Sequence, residues 1–180
     1  MNLYFRLLSI LIKCLMARLN LSKKKEKHIC FRILPTDIDI MGHLTSSRYI
    51  AFTDLARLSD LLDQGILQKL LRSQYRIAAL AQNLVHIREI KPFTKILVSS
   101  ELIEFDDHFW YYRHQIMEKS AVMAEVYVKG CILKSRKIVS PKVAFSQIGY
   151  KLNSKGLNES FKNWLDIVKH EYLSLKQIKN

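Results

Sequence analysis

The chain has 180 residues, 49% of them hydrophobic and 25% charged, which suits one domain with a real core and leaves too little for a second. With 5 glycines and 3 prolines, it is not a loop-rich or disordered chain. A formal charge of +13 favours anionic partners: nucleic acid, anionic lipid, or a phosphate-bearing cofactor such as coenzyme A.

Residues 1–19 are strongly apolar, but Arg6 and Lys13 interrupt them short of the ~20 residues a membrane span needs. They also lack a long uncharged stretch and a small-residue cleavage site, so they do not read as a signal peptide. On a helix, Arg6, Ser9 and Lys13 share one face, while Leu3, Leu7, Leu8, Ile10, Leu11, Cys14 and Leu15 cover the rest. Such a helix either lies on a membrane surface or packs on its own domain or a partner subunit. The lysine-rich run 22–27 follows as a solvated linker that would also suit anionic lipid.

Next comes a short strand over 28–34, stopped by Pro35, then a turn over 37–46. From 47 to 64 the pattern is helical, with Tyr49, Phe52 and Ala56 on one apolar line and Ala51, Leu55, Leu58 and Leu62 on another. Thr45, Ser46 or Ser47 can cap its start, and Gly65 stands where a helix ends. Strand character runs through 75–90, 95–105, 109–117 and 122–129, with turns at 106–108 and 118–120 that predict an antiparallel meander. Near the carboxyl end, Phe161, Trp164, Leu165, Val168, Tyr172 and Leu175 form the apolar face of a last helix. One long helix with several long antiparallel strands is an α+β layout in which the sheet wraps the helix. Cys14, Cys30 and Cys131 are scattered without metal-like or disulfide-like spacing, which fits a reducing compartment.

The turn before the long helix carries the chemistry. Asp37 and Asp39 stand beside a helix start, where unpaired backbone N–H groups and a partial positive charge can polarise a carbonyl. An ordinary aspartate, with a pKa of ~3.9, is ionised at neutral pH and can serve as base or nucleophile there. A calcium loop is ruled out by Met41 at its fifth position and Arg48 where a bidentate Glu belongs. A phosphatase-type Asp-x-Asp would continue into Gly-Thr or Gly-Val rather than Ile-Met-Gly-His. A plain capping turn is the remaining bland reading. No GxGxxG, P-loop or HExxH occurs.

The whole string decides among these. Thr36-Asp37-Ile38-Asp39, Gly42-His43-Leu44, Arg48-Tyr49 and Asp54-x-x-Arg57 together resemble the acyl-CoA thioesterases of the hotdog superfamily, in their 4-hydroxybenzoyl-CoA thioesterase-like branch. Phe105-Asp106-Asp107-x-Phe109-Trp110-Tyr111 and Val128-Lys129-Gly130 extend the likeness, which ends near Pro141. The resemblance implies a hotdog domain over 28–141, preceded by the helix and linker of 1–27 and followed by a helical extension over 142–180. It implies hydrolysis of an acyl-CoA thioester, with a fatty acyl chain as the expected class. Asp39 would be the catalytic carboxylate, and Gly42, His43, Thr45, Ser46 and Tyr49 the residues around the substrate, with no metal or cofactor. Tyr49 also reads as core, His43 as a turn residue, and Asp37 as a turn cap. Asp54 is the reserve carboxylate, because other hotdog branches use an acid from this helix; its other role is an ion pair with Arg57 one turn on.

The chain departs from the branch in one place: the paired Asn after the motif histidine is replaced by Thr45 and Ser46. Thr tolerates a left-handed backbone less well and lacks the amide's combined donor and acceptor. That departure leaves room for a second reading, a non-catalytic acyl- or lipid-binding hotdog protein on a membrane surface. The resemblance also implies a homodimer or higher homo-oligomer with sites between subunits; the expected place is the cytoplasm, and the pattern of 1–27 leaves open a peripheral membrane contact through that segment. Nucleic-acid binding rests on charge alone and has no motif behind it.

Overall fold

The structure is a computed structural model and describes residues 2–18, 28–150, 156 and 159–177. Its centre is the helix α2, Ser46–Asp63, preceded by the helix α1, Asn2–Arg18, the strand β1, His28–Arg32, and a single 3-10 turn at Pro35–Asp37. Both apolar lines of α2 turn inward: Tyr49, Phe52, Leu55, Ala56 and Leu62 are buried. Thr53 is buried with them, its hydroxyl donating to the Ile50 carbonyl at 2.8 Å. Gly65 has φ +68°, the left-handed backbone that lets the chain leave α2 and start the short helix α3, Ile66–Arg72.

The strands β2, Arg76–His86, β3, Lys95–Phe105, β4, Phe109–Glu118, and β5, Ala121–Lys134, follow. The sheet order is β1-β3-β4-β5-β2, all neighbours antiparallel, with the short strand β6, Lys137–Val139, pairing β5. The meander expected from the tight turns is therefore β3-β4-β5, while β2 lies on the far edge beside β5. Irregularities in register at Ala79/Ala81, Leu102/Glu104 and Ile116/Met117 add twist and help the sheet curl around α2. Trp110, Tyr112, His114 and Ile116 of β4 are all buried, and Trp110, Tyr112 and Ile116 join the apolar clusters that pack with α2. Gly130 pairs with Trp110 across β4 and β5, and a Cβ there would sit 2.0 Å from the indole. Only glycine lets that ring lie on the backbone.

The opposite face of β4 and β5 is covered by the last helix. Tyr111 and Tyr127 pack on Phe161 of α5, Glu159–Gln177, at ring separations of 5.7 and 4.8 Å. Before it, α4, Pro141–Gln147, buries Ala144 and Phe145 in the same cluster as Leu61, Leu70 and Tyr75. Pro141 thus opens a helix as well as closing the strand region. Of the cysteines, Cys131 is buried, whereas Cys30 is exposed on the edge strand β1 rather than packed inside. Cys14 lies where side chains are outside the described residues.

The amino-terminal helix packs on its own domain. Leu3, Leu7 and Ile10 lie against the core beside α2, and Arg6 points the same way, its guanidinium 4.7 Å from the Phe52 ring centroid. Of the two placements the sequence leaves open, packing on its own domain is the one observed, and it turns Arg6 of the basic stripe inward. The outward face is instead apolar: Tyr4, Phe5, Leu8, Leu11 and Ile12 are exposed. No helix among the described residues is long and apolar enough to cross a membrane.

His114 is fully enclosed, with Nδ1 2.8 Å from the Ser100 hydroxyl. Burial, helped by the nearby Arg57 charge, pushes its pKa down to about 3. The unfolded chain takes up this proton near pH 6.5 and the folded chain does not. Its contribution is therefore complete above pH 6.5 and is lost as pH falls from there towards 3, at up to ~1.4 kcal/mol per pH unit. Urea midpoints measured across that window should fall with acid in the wild type and fall less steeply in His114→Gln. Parallel slopes in the two proteins would contradict the assignment.

Candidate active site

The turn between β1 and α2 is a small hairpin closed from several sides. Asp39 N–H donates to the His43 carbonyl at 3.0 Å, Gly42 N–H returns to the Asp39 carbonyl at 3.1 Å, and Ile38 bridges to Leu44. Gly42 has φ +84°, which the reversal requires and which favours glycine. Leu44 N–H donates to the Ile90 carbonyl at 2.8 Å, tying the turn to the segment after β2.

Asp37 forms the floor. Its side chain is fully buried, and Oδ2 accepts from the Leu34 N–H at 3.0 Å and from the Arg6 guanidinium at 2.7 Å. Arg48, on the first turn of α2, approaches the other oxygen at 3.4 Å. The Asp37 main-chain carbonyl accepts both the Thr45 N–H and the Thr45 hydroxyl, each at 3.0 Å. Thr45 is the N-cap residue of α2, and its hydroxyl is committed to that carbonyl rather than to the helix. Asp37 is thus a structural acceptor that joins α1, the turn and α2. Burial lowers the Arg6 pKa from its ordinary value, Asp37 opposes that shift, and Arg48 adds to it.

Asp39 faces outward. About a third of its side chain is exposed, with Oδ1 held by the Met41 N–H at 2.9 Å and Oδ2 3.2 Å from His43 Nδ1. It opens on a cavity of about 230 Å³ lined by Asp39, His43, Leu44, Ser46, Tyr49, His86, Arg88 and Glu89. Ser46 is the first residue of α2, so the cavity sits at the helix end whose N–H groups have no intrahelical acceptor. The Ser46 hydroxyl lies 3.3 Å from His86 Nε2. Tyr49 is only 2% exposed, and burial, followed by the Glu89 charge, raises its pKa. It contributes to the core and lines the cavity at once.

Of the residues expected from the sequence, Asp39, His43, Ser46 and Tyr49 therefore meet at one cavity, Gly42 shapes the turn, and Thr45 braces it. Asp54 does not line this cavity; it is exposed and paired with Arg57 at 2.6 Å. His86, Arg88 and Glu89 were not expected. They reach the site because β2 crosses to the far edge of the sheet, and no local pattern marks them.

A carboxylate held by a backbone N–H, beside a helix start and an open cavity, suits attack on a polarised carbonyl. The chain is similar to several solved structures at low identity. YbaW, a probable thioesterase from Escherichia coli, matches with TM-score 0.64 at 15% identity, over 68% of this chain and 96% of that one. The 1,4-dihydroxy-2-naphthoyl-CoA thioesterase of Synechocystis matches with TM-score 0.59 at 12% identity, over 67% and 93%. The DHNA-CoA thioesterase of Staphylococcus aureus matches with TM-score 0.59 at 15% identity, over 68% and 90%. These likenesses establish the hotdog fold. The model of the thioesterase-like superfamily matches residues 33–165, from the strand end before the Asp-x-Asp turn into α5, and on that match the chain belongs to this superfamily of thioester hydrolases.

Proposed function

We propose that the protein hydrolyses an acyl-coenzyme A thioester, with Asp39 as general base on water or as direct nucleophile. The observation that carries this reading is the Asp39 carboxylate itself, aimed by the Met41 N–H and His43 at the edge of a cavity that begins at the start of α2. Backbone N–H groups of the first helical turn would polarise the thioester carbonyl. At about 230 Å³ the cavity is smaller than the ~300 Å³ at which pockets for drug-sized ligands begin. It has room for the reacting group and a few carbons, and the rest of the substrate would lie outside it. Ile40 and Met41, both exposed at the tip of the turn, offer apolar surface beside Asp39, which favours a fatty acyl chain. Arg88 on the cavity wall and the charge of +13 favour the anionic coenzyme. Free-thiol release from acyl-CoAs of graded chain length tests the reading: turnover that rises with acyl length is expected, and a flat absence of turnover would sink it.

A second reading adds a surface and a partner copy. Tyr4, Phe5, Leu8, Leu11 and Ile12 make an outward apolar stripe on α1, and the lysine-rich run 22–27 follows it in sequence, a combination that suits an anionic lipid surface. The outer edge of β2 is unpaired among the described residues, with Leu80, Val85 and the following Ile87 exposed, so a second copy can pair there. Sedimentation with and without anionic vesicles reads both. A mass of two chains in solution and salt-sensitive pelleting with vesicles are expected. A monomer indifferent to vesicles would remove this reading and leave the hydrolase untouched.

A further inference from the structure

His86 stands out because it is exposed on the last residue of an edge strand, yet its ring is held on two sides. Nε2 lies 3.3 Å from the Ser46 hydroxyl, and the ring meets Tyr49 edge-on, with centroids 4.7 Å apart and planes at 88°. Tyr49 is locked in the core, so it fixes the imidazole against α2. Ser46 and His86 both line the cavity that Asp39 opens on.

A serine hydroxyl has one donor hydrogen that rotates freely, so by itself it aims at nothing. When an imidazole N–H donates to the oxygen, the hydroxyl hydrogen is left for another acceptor and becomes a stronger donor. The position matters as well. Ser46 opens α2, so its hydroxyl stands where the cavity meets the start of the helix. At this place the resembled motif has Asn, whose amide carries its own fixed N–H. Serine needs an external group to orient it, and His86 is the group in reach.

We propose that the Ser46 hydroxyl is a donor to the thioester carbonyl oxygen and that His86 is the positioning residue that aims it. This rests on the thioesterase reading and adds the residues that replace the motif's amide. The separation of 3.3 Å is long for a hydrogen bond to a hydroxyl and shortens when the carbonyl takes the hydroxyl hydrogen.

The test compares Ser46→Ala, His86→Phe and the double variant in acyl-CoA hydrolysis. Phe keeps the ring contact with Tyr49 and removes the N–H. Both single variants should lose kcat by at least about tenfold with KM little changed, since single donors of this kind carry ~10²–10³ in rate. The double variant should be no slower than Ser46→Ala, because His86 acts only through Ser46. Additive losses, or an unchanged kcat in Ser46→Ala, overturn the proposal. So does an acyl group trapped on Ser46 by mass spectrometry, which would make His86 a base and Ser46 a nucleophile.

A second measurement does not need turnover. In the Asp39→Asn background, the infrared carbonyl stretch of bound, isotope-labelled acyl-CoA should be lowered. That lowering should shrink equally on adding Ser46→Ala or His86→Phe. A stretch indifferent to both changes overturns the proposal even where Asp39 proves catalytic. A wild type without turnover strikes at the thioesterase reading alone.

Discussion

Asp39→Asn should lower kcat for acyl-CoA hydrolysis on the order of a hundredfold or more, whether the carboxylate activates water or attacks directly. The substitution is conservative in shape: the amide oxygen can still accept the Met41 N–H, so the turn keeps its geometry. Because the side chain is about a third exposed and carries no core packing, the urea midpoint should stay close to that of the wild type. KM should change little, since the lost interaction belongs to the transition state. Asp54→Asn is the control. That residue is exposed, bound to Arg57 and absent from the cavity wall, so its loss of rate should be far smaller. A collapse in Asp54→Asn with survival of Asp39→Asn would move the chemistry to the reserve carboxylate.

The second large effect is on stability. Asp37→Asn should lower the unfolding free energy by about 3 kcal/mol, at the low end of the ~3–5 kcal/mol typical of breaking a buried ion pair. The side chain is completely enclosed, and the substitution takes the carboxylate charge away from Arg6, which also donates to the Arg32 carbonyl at 2.9 Å and lies over two phenylalanine rings. The low end applies because the Arg6 side chain keeps 12% exposure and can reach water. Arg6→Met should cost less than Asp37→Asn, because Arg48 stays near the carboxylate. Arg48→Met should cost least, being the longer and more exposed of the two contacts. Urea denaturation of the three variants gives the ranking directly, and equal midpoints would refute the account.

The parts of the fold governed by local periodicity were legible in the sequence. The predicted helix over 47–64 is Ser46–Asp63, and the meander over 95–105, 109–117 and 122–129 is present, with the last strand extended to Lys134. The alternation at Val126 and Val128 faces the core as expected, and the intervening Tyr127 is buried as well because α5 covers the outer face. Short helices were not legible: Ile66–Arg72 and Pro141–Gln147 each have only two turns, too few for a periodic signal to separate from a loop. The direction of Arg6 is open in the sequence for a different reason. A helix with a few basic side chains among apolar residues can bury either side, and the deciding partner of Arg6, Asp37, lies 31 residues away. The same distance problem hid His86, Arg88 and Glu89, since their place over the start of α2 follows from strand order alone.

The Arg6–Asp37 contact also changes how this protein should be handled at the bench. An apolar leading helix invites removal to improve yield, but cutting 1–18 would strip the principal counter-charge from an enclosed carboxylate under the Asp39 turn. A shortened chain that precipitates, or that folds without activity, would then report a missing ion-pair partner rather than the worth of the remaining domain. Solubilising changes belong on Tyr4, Phe5, Leu8, Leu11 and Ile12, whose side chains face outward and leave Arg6 in place.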